Sequence, residues 1–191
     1  MHDDFTVAVF CGSTMGKREI YRRKTIELGE EMARRNVSLV YGGGNRGLMG
    51  VLAHTVYSNG GSVTGVLPEA MNIASVTDGA VSTKTIVVKN MHERKSTMYS
   101  LSGGIIALPG GIGTMEELCE IYTWRQLGYS NANIALYNID DYYSPFLMQL
   151  ERAVEDGFLN PAVRDILIVS DDPAFILEHL EKDRKELPSK L

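Results

Sequence analysis

Three glycine-rich segments of the chain are suited to bringing backbone N–H groups close to an anion. They occupy residues 11–14, 42–47 and 109–114, and each follows an apolar run and precedes a helical pattern. Glycine lets a ligand approach the backbone closely, and the N-terminus of a following helix offers free N–H groups and a positive dipole end. If the three segments converge on one edge of a sheet, they indicate a site for a phosphate or a nucleotide.

The segment 42–47 also fits the G-x-G-x-x-G pattern of dinucleotide-binding proteins, through Gly42, Gly44 and Gly47. Glu69 lies near the end of the next predicted strand, about 20 residues further on, where such a fold places its ribose-binding acid. NAD(P) binding is therefore one hypothesis. Against it, the pattern follows the second predicted strand, and 191 residues leave little chain for a separate substrate domain. The absence of G-x-x-x-x-G-K-[ST] from the sequence excludes a P-loop.

The segment LPGGIGTMEE, which ends at Glu117, is far more specific. Together with MHERK at residues 91–95 and YGGGNRGLMG at 41–50, it resembles the LONELY GUY (LOG) family, the cytokinin riboside 5'-monophosphate phosphoribohydrolases. The family signature P-G-G-x-G-T-x-x-E is matched at every fixed position. Older naming of this family as lysine decarboxylases finds no support here, because no segment suggests a pyridoxal phosphate site. Further matching segments extend the resemblance from about residue 6 to residue 180; they are residues 10–13, 123–128, 141–143 and 155–158.

The resemblance implies a hydrolase that breaks the N-glycosidic bond of a cytokinin (N6-modified adenine) riboside 5'-monophosphate, or of AMP. The products would be the free base and ribose 5-phosphate. It implies that Glu117 and Arg94 are the catalytic pair. Positive charge builds on the sugar as such a bond breaks, so a nearby carboxylate can stabilise that charge or activate the attacking water. The planar guanidinium of Arg94 would hold the carboxylate or the substrate.

The resemblance also implies a set of substrate contacts around this pair. The loop 110–114 would wrap the 5'-phosphate with backbone N–H groups and the Thr114 hydroxyl. Lys95 would serve the phosphate or the base, and Glu116 would bind a ribose hydroxyl. No metal ion and no cofactor is expected. The complete predicted substrate-binding set is Ser13, Gly43, Gly44, Met91, Lys95, Pro109, Gly110, Gly111, Ile112, Gly113, Thr114, Glu116 and Thr123.

Ordinary structural interpretations of the same residues remain open. Thr114-Met115-Glu116-Glu117 also fits a capping box, T-x-x-E, in which Glu117 only completes a helix N-terminus. A carboxylate in this first turn would be stabilised as the anion by the helix dipole. The apolar stripe predicted for the helix would leave Glu116, Glu117 and Glu120 off its packed face. That stripe comprises Met115, Leu118, Cys119, Tyr122 and Gln126.

One segment departs from the family pattern. After the third predicted strand, family members commonly carry an acid within a Pro-Arg-Glu-Leu-like segment that touches the substrate. Here residues 68–76 read PEAMNIASV, and the matching position falls near Ser75. Glu69 or Asp78 could take its place, so the change puts base or ribose selectivity in question more than catalysis. Nearby His92 is expected to be structural, and the cysteines, Cys11 and Cys119, to be small core residues.

The elements that must position these groups alternate between strands and helices from end to end. This alternation predicts a single Rossmann-like α/β domain over residues 1–191, with a parallel sheet of about seven strands, helices on both faces, and a frayed tail at 181–191. The strands are predicted at 6–11, 38–41, 62–67, 85–88, 104–108, 134–137 and 166–169. Helices are predicted around Tyr21–Met32 and at 48–58, 92–101, 114–127, 145–156 and 173–185.

Charge and composition narrow the classes of protein further. Lys and Arg number 19 against 24 Asp and Glu, a net charge of -5, which argues against a general nucleic-acid binder. Residues 1–100 nonetheless hold 12 basic and 9 acidic side chains, net +3, and the remainder holds 7 and 15, net -8. The site is expected where the two halves meet, with Arg94 and Lys95 on one side and Glu116 and Glu117 on the other.

Cellular context and partners follow from the same considerations. Two distant cysteines and four scattered histidines indicate neither a disulfide framework nor a zinc site. No apolar run approaches the roughly 20 residues that span a bilayer, and the acidic N-terminus does not fit a signal peptide. A cytoplasmic protein is expected, and the resemblance implies a homodimer. The alternative function is a non-catalytic nucleotide or molybdenum-cofactor carrier of the same Rossmann-like group.

Overall fold

A computed structural model of the chain describes residues 5–182. Seven parallel strands form one sheet in the order β4-β3-β2-β1-β5-β6-β7. They are β1 (Thr6–Phe10), β2 (Ser38–Tyr41), β3 (Val63–Pro68), β4 (Lys84–Val88), β5 (Gly104–Ala107), β6 (Asn133–Tyr137) and β7 (Leu167–Ser170). The predicted fold class is confirmed, and every predicted strand is present within one residue at each end.

Between residues 5 and 182, eight α-helices connect or follow the strands. They are α1 (Glu19–Arg34), α2 (Gly47–Ser58), α3 (Ala74–Thr77), α4 (Met91–Ser100), α5 (Ile112–Leu127), α6 (Ser144–Glu155), α7 (Pro161–Arg164) and α8 (Pro173–Lys182). The single-turn helices α3 and α7 were not predicted, because four residues are too few to show a helical period. The 3-10 turn at Glu69–Met71 is too short to predict for the same reason, and another 3-10 turn forms at Ile139–Asp141. Residues 183–191, most of the predicted frayed tail, lie outside the described residues.

The hydrophobic core consists of two layers, one on each face of the sheet. Val7 and Val9 of β1 point into the layer covered by α1, α2 and α8. Ala8 and Phe10 point into the layer covered mainly by α4, α5 and α7. Successive strand residues face opposite sides, so a strand covered on both faces must be apolar throughout. This explains the continuous apolar runs that made the strands recognisable.

The strand order reverses at β1, whose neighbours are β2 and β5. Phe10 at the end of β1 pairs with Ala107 at the end of β5, so the chain leaves both strands side by side. The N–H of Gly12 donates to the carbonyl of Pro109 at 3.0 Å and ties the two exits together. In open parallel sheets, ligands bind in the crevice at such a reversal, outside the carboxyl ends of the strands.

The outer edges of the sheet are β4 and β7. Lys84, Thr85 and Val87 of β4 are exposed, whereas β1, β2, β5 and β6 are almost wholly buried. Within residues 5–182, no helix has the length and apolar character needed to cross a membrane.

Candidate active site

Helix α4 begins with two hydrogen bonds between side chains and backbone, which set the turn just before Arg94. The Asn90 side chain accepts from the N–H of Glu93 at 2.9 Å, and the Glu93 carboxylate accepts from the N–H of Lys89 at 2.8 Å. Two backbone N–H groups at the start of α4 thereby gain hydrogen-bond acceptors, which stabilises the first turn of the helix. Arg94 is the next residue, and its side chain turns inward beneath the carboxyl ends of the strands.

Arg94 and Glu117 form a buried ion pair between α4 and α5. Arg94 Nη1 lies 2.9 Å from Glu117 Oε1, and the two side chains are only 8% and 11% exposed. Arg94 Nε donates to the carbonyl of Val66 within β3, at 3.1 Å. The guanidinium is therefore held at two points, and it presents the carboxylate in a fixed orientation.

Helix α5 begins two residues earlier than predicted, and this changes the interpretation of Glu117. The N-cap is Gly111, so Thr114 is the third helical residue and Glu117 the sixth. The capping-box interpretation is wrong, because Glu117 bonds Arg94 and lies beyond the first turn. The expected effect of the helix dipole on its carboxylate fades for the same reason, since that effect is confined to the first turn.

The packed face of α5 also differs from the predicted stripe. Leu118 and Tyr122 are buried as expected, but Glu117 is buried beside them and Cys119 is exposed. The predicted stripe puts Glu117 on the outer face, and a carboxylate without a partner is costly to bury. Arg94 supplies the missing charge from α4, which a pattern within one helix cannot reveal.

Burial has a direct electrostatic effect on Glu117. Loss of solvent raises the pKa of its carboxyl above the ordinary value, and the charge and hydrogen bond of Arg94 oppose this without cancelling it. A carboxylate with a raised pKa is a better proton acceptor than an ordinary surface glutamate. The pair can thus stabilise a positive charge or orient and deprotonate a water molecule.

Lys95 lies beside this pair and is held by two other carboxylates. Its Nζ is 2.5 Å from Glu116 Oε1 and 2.9 Å from Glu120 Oε1, and Tyr99 donates to Glu120 at 2.9 Å. Burial acts to lower the pKa of Lys95, but the two hydrogen-bonded carboxylates outweigh it and raise the pKa. Lys95 is therefore a charged lysine engaged with the protein itself, unsuited to a Schiff base. Its predicted role toward substrate, and that of Glu116, stay predictions.

Neighbouring protein atoms occupy the space beside most glycines of residues 42–47. A Cβ on Gly42 would lie 2.2 Å from Arg94 Nη2. Gly43 has a φ of +74° and a Cβ there would meet Leu67 at 2.4 Å, while Gly47, at φ +59°, closely approaches the backbone of Ser13. Gly42, Gly43 and Gly47 thus have a packing reason, whereas a Cβ on Gly44 would make only ordinary contacts at 3.7 Å. The NAD(P) hypothesis loses the support of Gly42 and Gly47, and the pattern follows β2, whereas a dinucleotide-binding pattern usually follows the first strand.

The glycines of residues 110–113 behave differently. A Cβ on Gly110 would overlap the Thr114 side chain, with Oγ1 at 2.1 Å. A Cβ on Gly111 or Gly113 would meet nothing within 4 Å, and neither residue has a positive φ. Packing and backbone conformation therefore do not explain these two glycines. The open space beside them is where a ligand can approach the backbone.

A cavity of about 210 Å³ lies at the strand reversal, next to these glycines. This is below the roughly 300–1,000 Å³ typical of ligand pockets, so it suits part of a nucleotide. Its walls come from the exits of β1 and β5, from α1 and α2, and from the segment before α6. The lining residues are Gly12, Thr14, Met15, Gly16, Tyr21, Leu48, Pro109, Gly110, Gly111 and Tyr142.

The structure brings some of the predicted site residues to the carboxyl edge of the sheet and leaves others away from the ion pair. Ser13, Met91 and Ile112 are exposed at the same edge of the sheet, with Ile112 86% exposed at the start of α5. Gly44 is buried next to Gly43. Thr123 is exposed six residues after Glu117 on α5 and donates to the carbonyl of Cys119, so the structure does not bring it to the ion pair.

The segment that departs from the family pattern folds over the exit of β2. Its Val76 carbonyl accepts from the N–H of Asn45 at 3.1 Å. Ser75, Glu69 and Asp78 are all exposed, and no described contact selects one of them as the replacement acid. His92 is exposed as well, at the start of α4, and Cys11 is buried as predicted. Among residues 5–182, no group of three or more His, Cys, Asp and Glu side chains could hold a metal ion.

Sequence comparison places this chain among known relatives. The sequence family described as "possible lysine decarboxylase" matches residues 49–180. A probable cytokinin riboside 5'-monophosphate phosphoribohydrolase of Oryza sativa subsp. japonica is 44% identical over 179 residues, covering 92% of this chain and 72% of the relative. A cytokinin riboside 5'-monophosphate phosphoribohydrolase of Arabidopsis thaliana is 40% identical over 176 residues, covering 92% of this chain and 81% of the relative.

Comparison with solved structures identifies the same fold in more distant proteins. The molybdenum cofactor carrier protein of Chlamydomonas reinhardtii has a TM-score of 0.68 at 18% identity, covering 94% of this chain and 97% of its own. The molybdenum cofactor binding protein of Rippkaea orientalis has a TM-score of 0.67 at 19% identity, covering 95% of this chain and 98% of its own. At such identities the likeness concerns the fold, which is Rossmann-like.

Proposed function

Because this chain belongs to the LONELY GUY family of cytokinin riboside 5'-monophosphate phosphoribohydrolases, we propose that it hydrolyses the N-glycosidic bond of such a nucleotide. The protein is then a hydrolase of the N-glycosidase type, and its products are the free base and ribose 5-phosphate. The observation that carries this proposal is the buried Arg94–Glu117 pair, in which Glu117 follows the open Gly113 by about one turn of α5.

The reaction places its main demand on one carboxylate. As the bond between C1' and the base nitrogen breaks, the electron pair leaves with the base and the sugar becomes cationic. Glu117 stabilises this cation and takes a proton from the attacking water, whose oxygen bonds to C1'. The departing base takes up one proton, and Glu117 releases the proton that it took from water. One water molecule is therefore consumed for each bond broken. Arg94 keeps Glu117 oriented through Nη1 while its Nε remains anchored to Val66.

The phosphate end of the substrate belongs at the glycine loop. Backbone N–H groups of residues 110–114 and the Thr114 hydroxyl are the proposed donors, and the start of α5 adds the positive end of its dipole. Ser13 and the pair Gly43–Gly44 close the other side. Met91, Lys95, Pro109, Ile112, Glu116 and Thr123 complete the proposed substrate-binding set.

Several finer features belong to the same proposal. We propose an N6-modified adenine nucleotide as the preferred substrate, with AMP as the nearest competitor. The chain would act as a single domain over residues 1–191, in the cytoplasm, and as a homodimer. The family resemblance supports the dimer.

A carrier of nucleotides or of the molybdenum cofactor is the alternative function, which the likeness in fold favours. A carrier would bind its ligand tightly and leave it intact. The ion pair argues for the enzyme, because a carrier has no use for a carboxylate buried with a raised pKa at the binding edge.

The decisive experiment is a base-release panel with purified protein. AMP, N6-isopentenyl-AMP, GMP, CMP and their ribosides are incubated with the wild type and with Glu117→Gln, which keeps the shape of the side chain. We expect release from the N6-modified monophosphate and none from its riboside. We expect Glu117→Gln to lower kcat by roughly 10²–10⁴-fold.

Glu155→Gln, an exposed carboxylate at the end of α6, is the matched control and should retain full activity. Intact monophosphate with the wild type would refute the proposed function. Full activity of Glu117→Gln would refute the role given to the ion pair while leaving the reaction standing.

A further inference from the structure

Two consecutive tyrosines, which have no part in the chemistry described above, bond to the glycine loop. Tyr143 Oη donates to the carbonyl of Leu108 at 2.6 Å, and Tyr142 Oη donates to the carbonyl of Gly110. Both acceptors lie more than 30 residues earlier in the chain, at the exit of β5. Tyr143 is 1% exposed and Tyr142 is 37% exposed, so the first belongs to the core and the second lines the cavity.

These contacts determine the direction of a neighbouring N–H group. The Gly110 carbonyl and the Gly111 N–H belong to one planar trans peptide and point in opposite directions. A donor that holds the carbonyl on one side therefore aims the N–H toward the other side. Gly111 has no side chain that could hold this peptide in place by packing. No acceptor within residues 5–182 takes up the Gly111 N–H.

The preceding peptide is fixed in the same way. The Pro109 carbonyl accepts from the N–H of Gly12 at 3.0 Å, which sets the plane that carries the Gly110 N–H. Tyr142 thus supplies the second of two successive constraints on the Pro-Gly-Gly backbone. Without the hydrogen bond from Tyr142, the Gly110–Gly111 peptide would be the first peptide of the loop that is free to rotate.

The segment that presents Tyr142 is itself in an unusual conformation. Asp140 and Asp141 both have positive φ values, +54° and +57°. Consecutive left-handed residues other than glycine are costly and persist where the surrounding structure enforces them. Arg18 forms an ion pair with Asp140, and the Tyr21 ring packs edge-on against Tyr142 with ring centres 5.9 Å apart. The chain is thus bent and braced at the point from which Tyr142 reaches the loop.

We propose that Tyr142 is a positioning residue for the phosphate-binding backbone: its hydroxyl holds the Gly110–Gly111 peptide so that the Gly111 N–H faces the substrate phosphate. This inference rests on the proposed function. It separates the phosphate end of the site from the ion pair, because Tyr142 acts through backbone and Glu117 acts on the sugar.

Tyr142→Phe is the cleanest test, since it removes the hydroxyl and keeps the ring that packs against Tyr21. We expect KM for the monophosphate to rise about five- to tenfold, the loss for one hydrogen bond, with kcat within twofold of wild type. The inhibition constant of ribose 5-phosphate should rise by the same factor, and that of the free base should not change. Tyr129→Phe, which alters a 74% exposed ring after α5, is the matched control.

Thermal unfolding of each variant accompanies the kinetics. Unchanged constants for ribose 5-phosphate in Tyr142→Phe would overturn the inference, and so would an equal weakening of ribose 5-phosphate and free base, which indicates general loosening. Tyr142→Ala removes the ring as well and should weaken ribose 5-phosphate further. An inactive wild type refutes the proposed function, whereas an active wild type with an unaltered Tyr142→Phe refutes only the role of Tyr142.

Discussion

The two glycine-rich loops at the carboxyl edge of the sheet look alike in sequence and differ in structure. In residues 42–47, protein atoms occupy the space beside Gly42, Gly43 and Gly47, as Arg94 does beside Gly42. In residues 110–113, the space beside Gly111 and Gly113 is open. Gly42, Gly43 and Gly47 leave room for protein atoms, whereas Gly111 and Gly113 leave space that a ligand can enter. A glycine pattern alone therefore does not separate an internal packing site from a binding site.

Gly42→Ala should have the largest effect, because the added methyl group displaces Arg94 of the ion pair. The added methyl would lie 2.2 Å from Arg94 Nη2, so the guanidinium must move and Glu117 loses its fixed partner. We expect kcat to fall roughly 100-fold and the free energy of unfolding to fall by about 1–3 kcal/mol. Base-release kinetics and chemical denaturation measure the two effects. An active, stable Gly42→Ala protein would show that Arg94 does not need this position.

Gly43→Ala should affect stability more than binding. Alanine is strained at a φ of +74°, and its methyl would meet the Leu67 side chain at 2.4 Å. We expect a loss of about 2 kcal/mol in the free energy of unfolding, which lowers Tm by roughly 4–8 °C in a chain of this size. Differential scanning calorimetry measures this loss. A Tm equal to that of the wild type would mean that the two loops do not differ as described.

Gly113→Ala should affect binding more than stability, which is the opposite of the result expected for Gly43→Ala. Gly113 is the second residue of α5, where alanine favours the helix by roughly 0.5–1 kcal/mol, and nothing in the protein lies within 4 Å of the new methyl. We expect Tm to rise slightly while KM for the monophosphate increases roughly tenfold. An unchanged KM would show that the ligand does not bind beside Gly113. A lowered Tm would reveal a packing role that the structure does not show.

The smallest expected effect is a dependence of stability on pH that originates at Glu117. The pKa of Glu117 is raised in the folded protein, so the folded state binds this proton more tightly than the unfolded state does. The associated stabilisation is complete below the ordinary pKa of 4.5 and is lost as the pH rises through the folded value. Between pH 4 and 8, the wild type should lose free energy of unfolding relative to Glu117→Gln. Chemical denaturation of both proteins across this range gives the difference, and parallel curves would contradict it.

The strands were predictable from sequence because burial on both faces leaves a direct trace. Residues 104–108 read GIIAL, and β5 occupies Gly104–Ala107. The fold class followed from the alternation of such runs with helical patterns. The family was recognisable as well, since its signature lies within ten consecutive residues ending at Glu117.

The geometry of the site could not be predicted in the same way, because it depends on contacts between distant residues. Arg94 and Glu117 are 23 residues apart and meet only because α4 and α5 pack on the same face of the sheet. Cys119 was assigned to the core by helical period, yet the carboxylate of Glu117 takes the buried position. Tyr142 belonged to a recognised segment, but its bond to Gly110 spans 32 residues.

The exposed outer strand β4 has a consequence for the behaviour of this protein at high concentration. Its free backbone groups offer a template onto which a strand of another chain could add, which is a common start of aggregation. Lys84 opens the strand and Lys89 follows it directly, so a positive charge lies at each end. Charged side chains of this kind, especially lysine, oppose edge-to-edge pairing. The two lysines therefore oppose the addition of a further strand at this edge of the sheet.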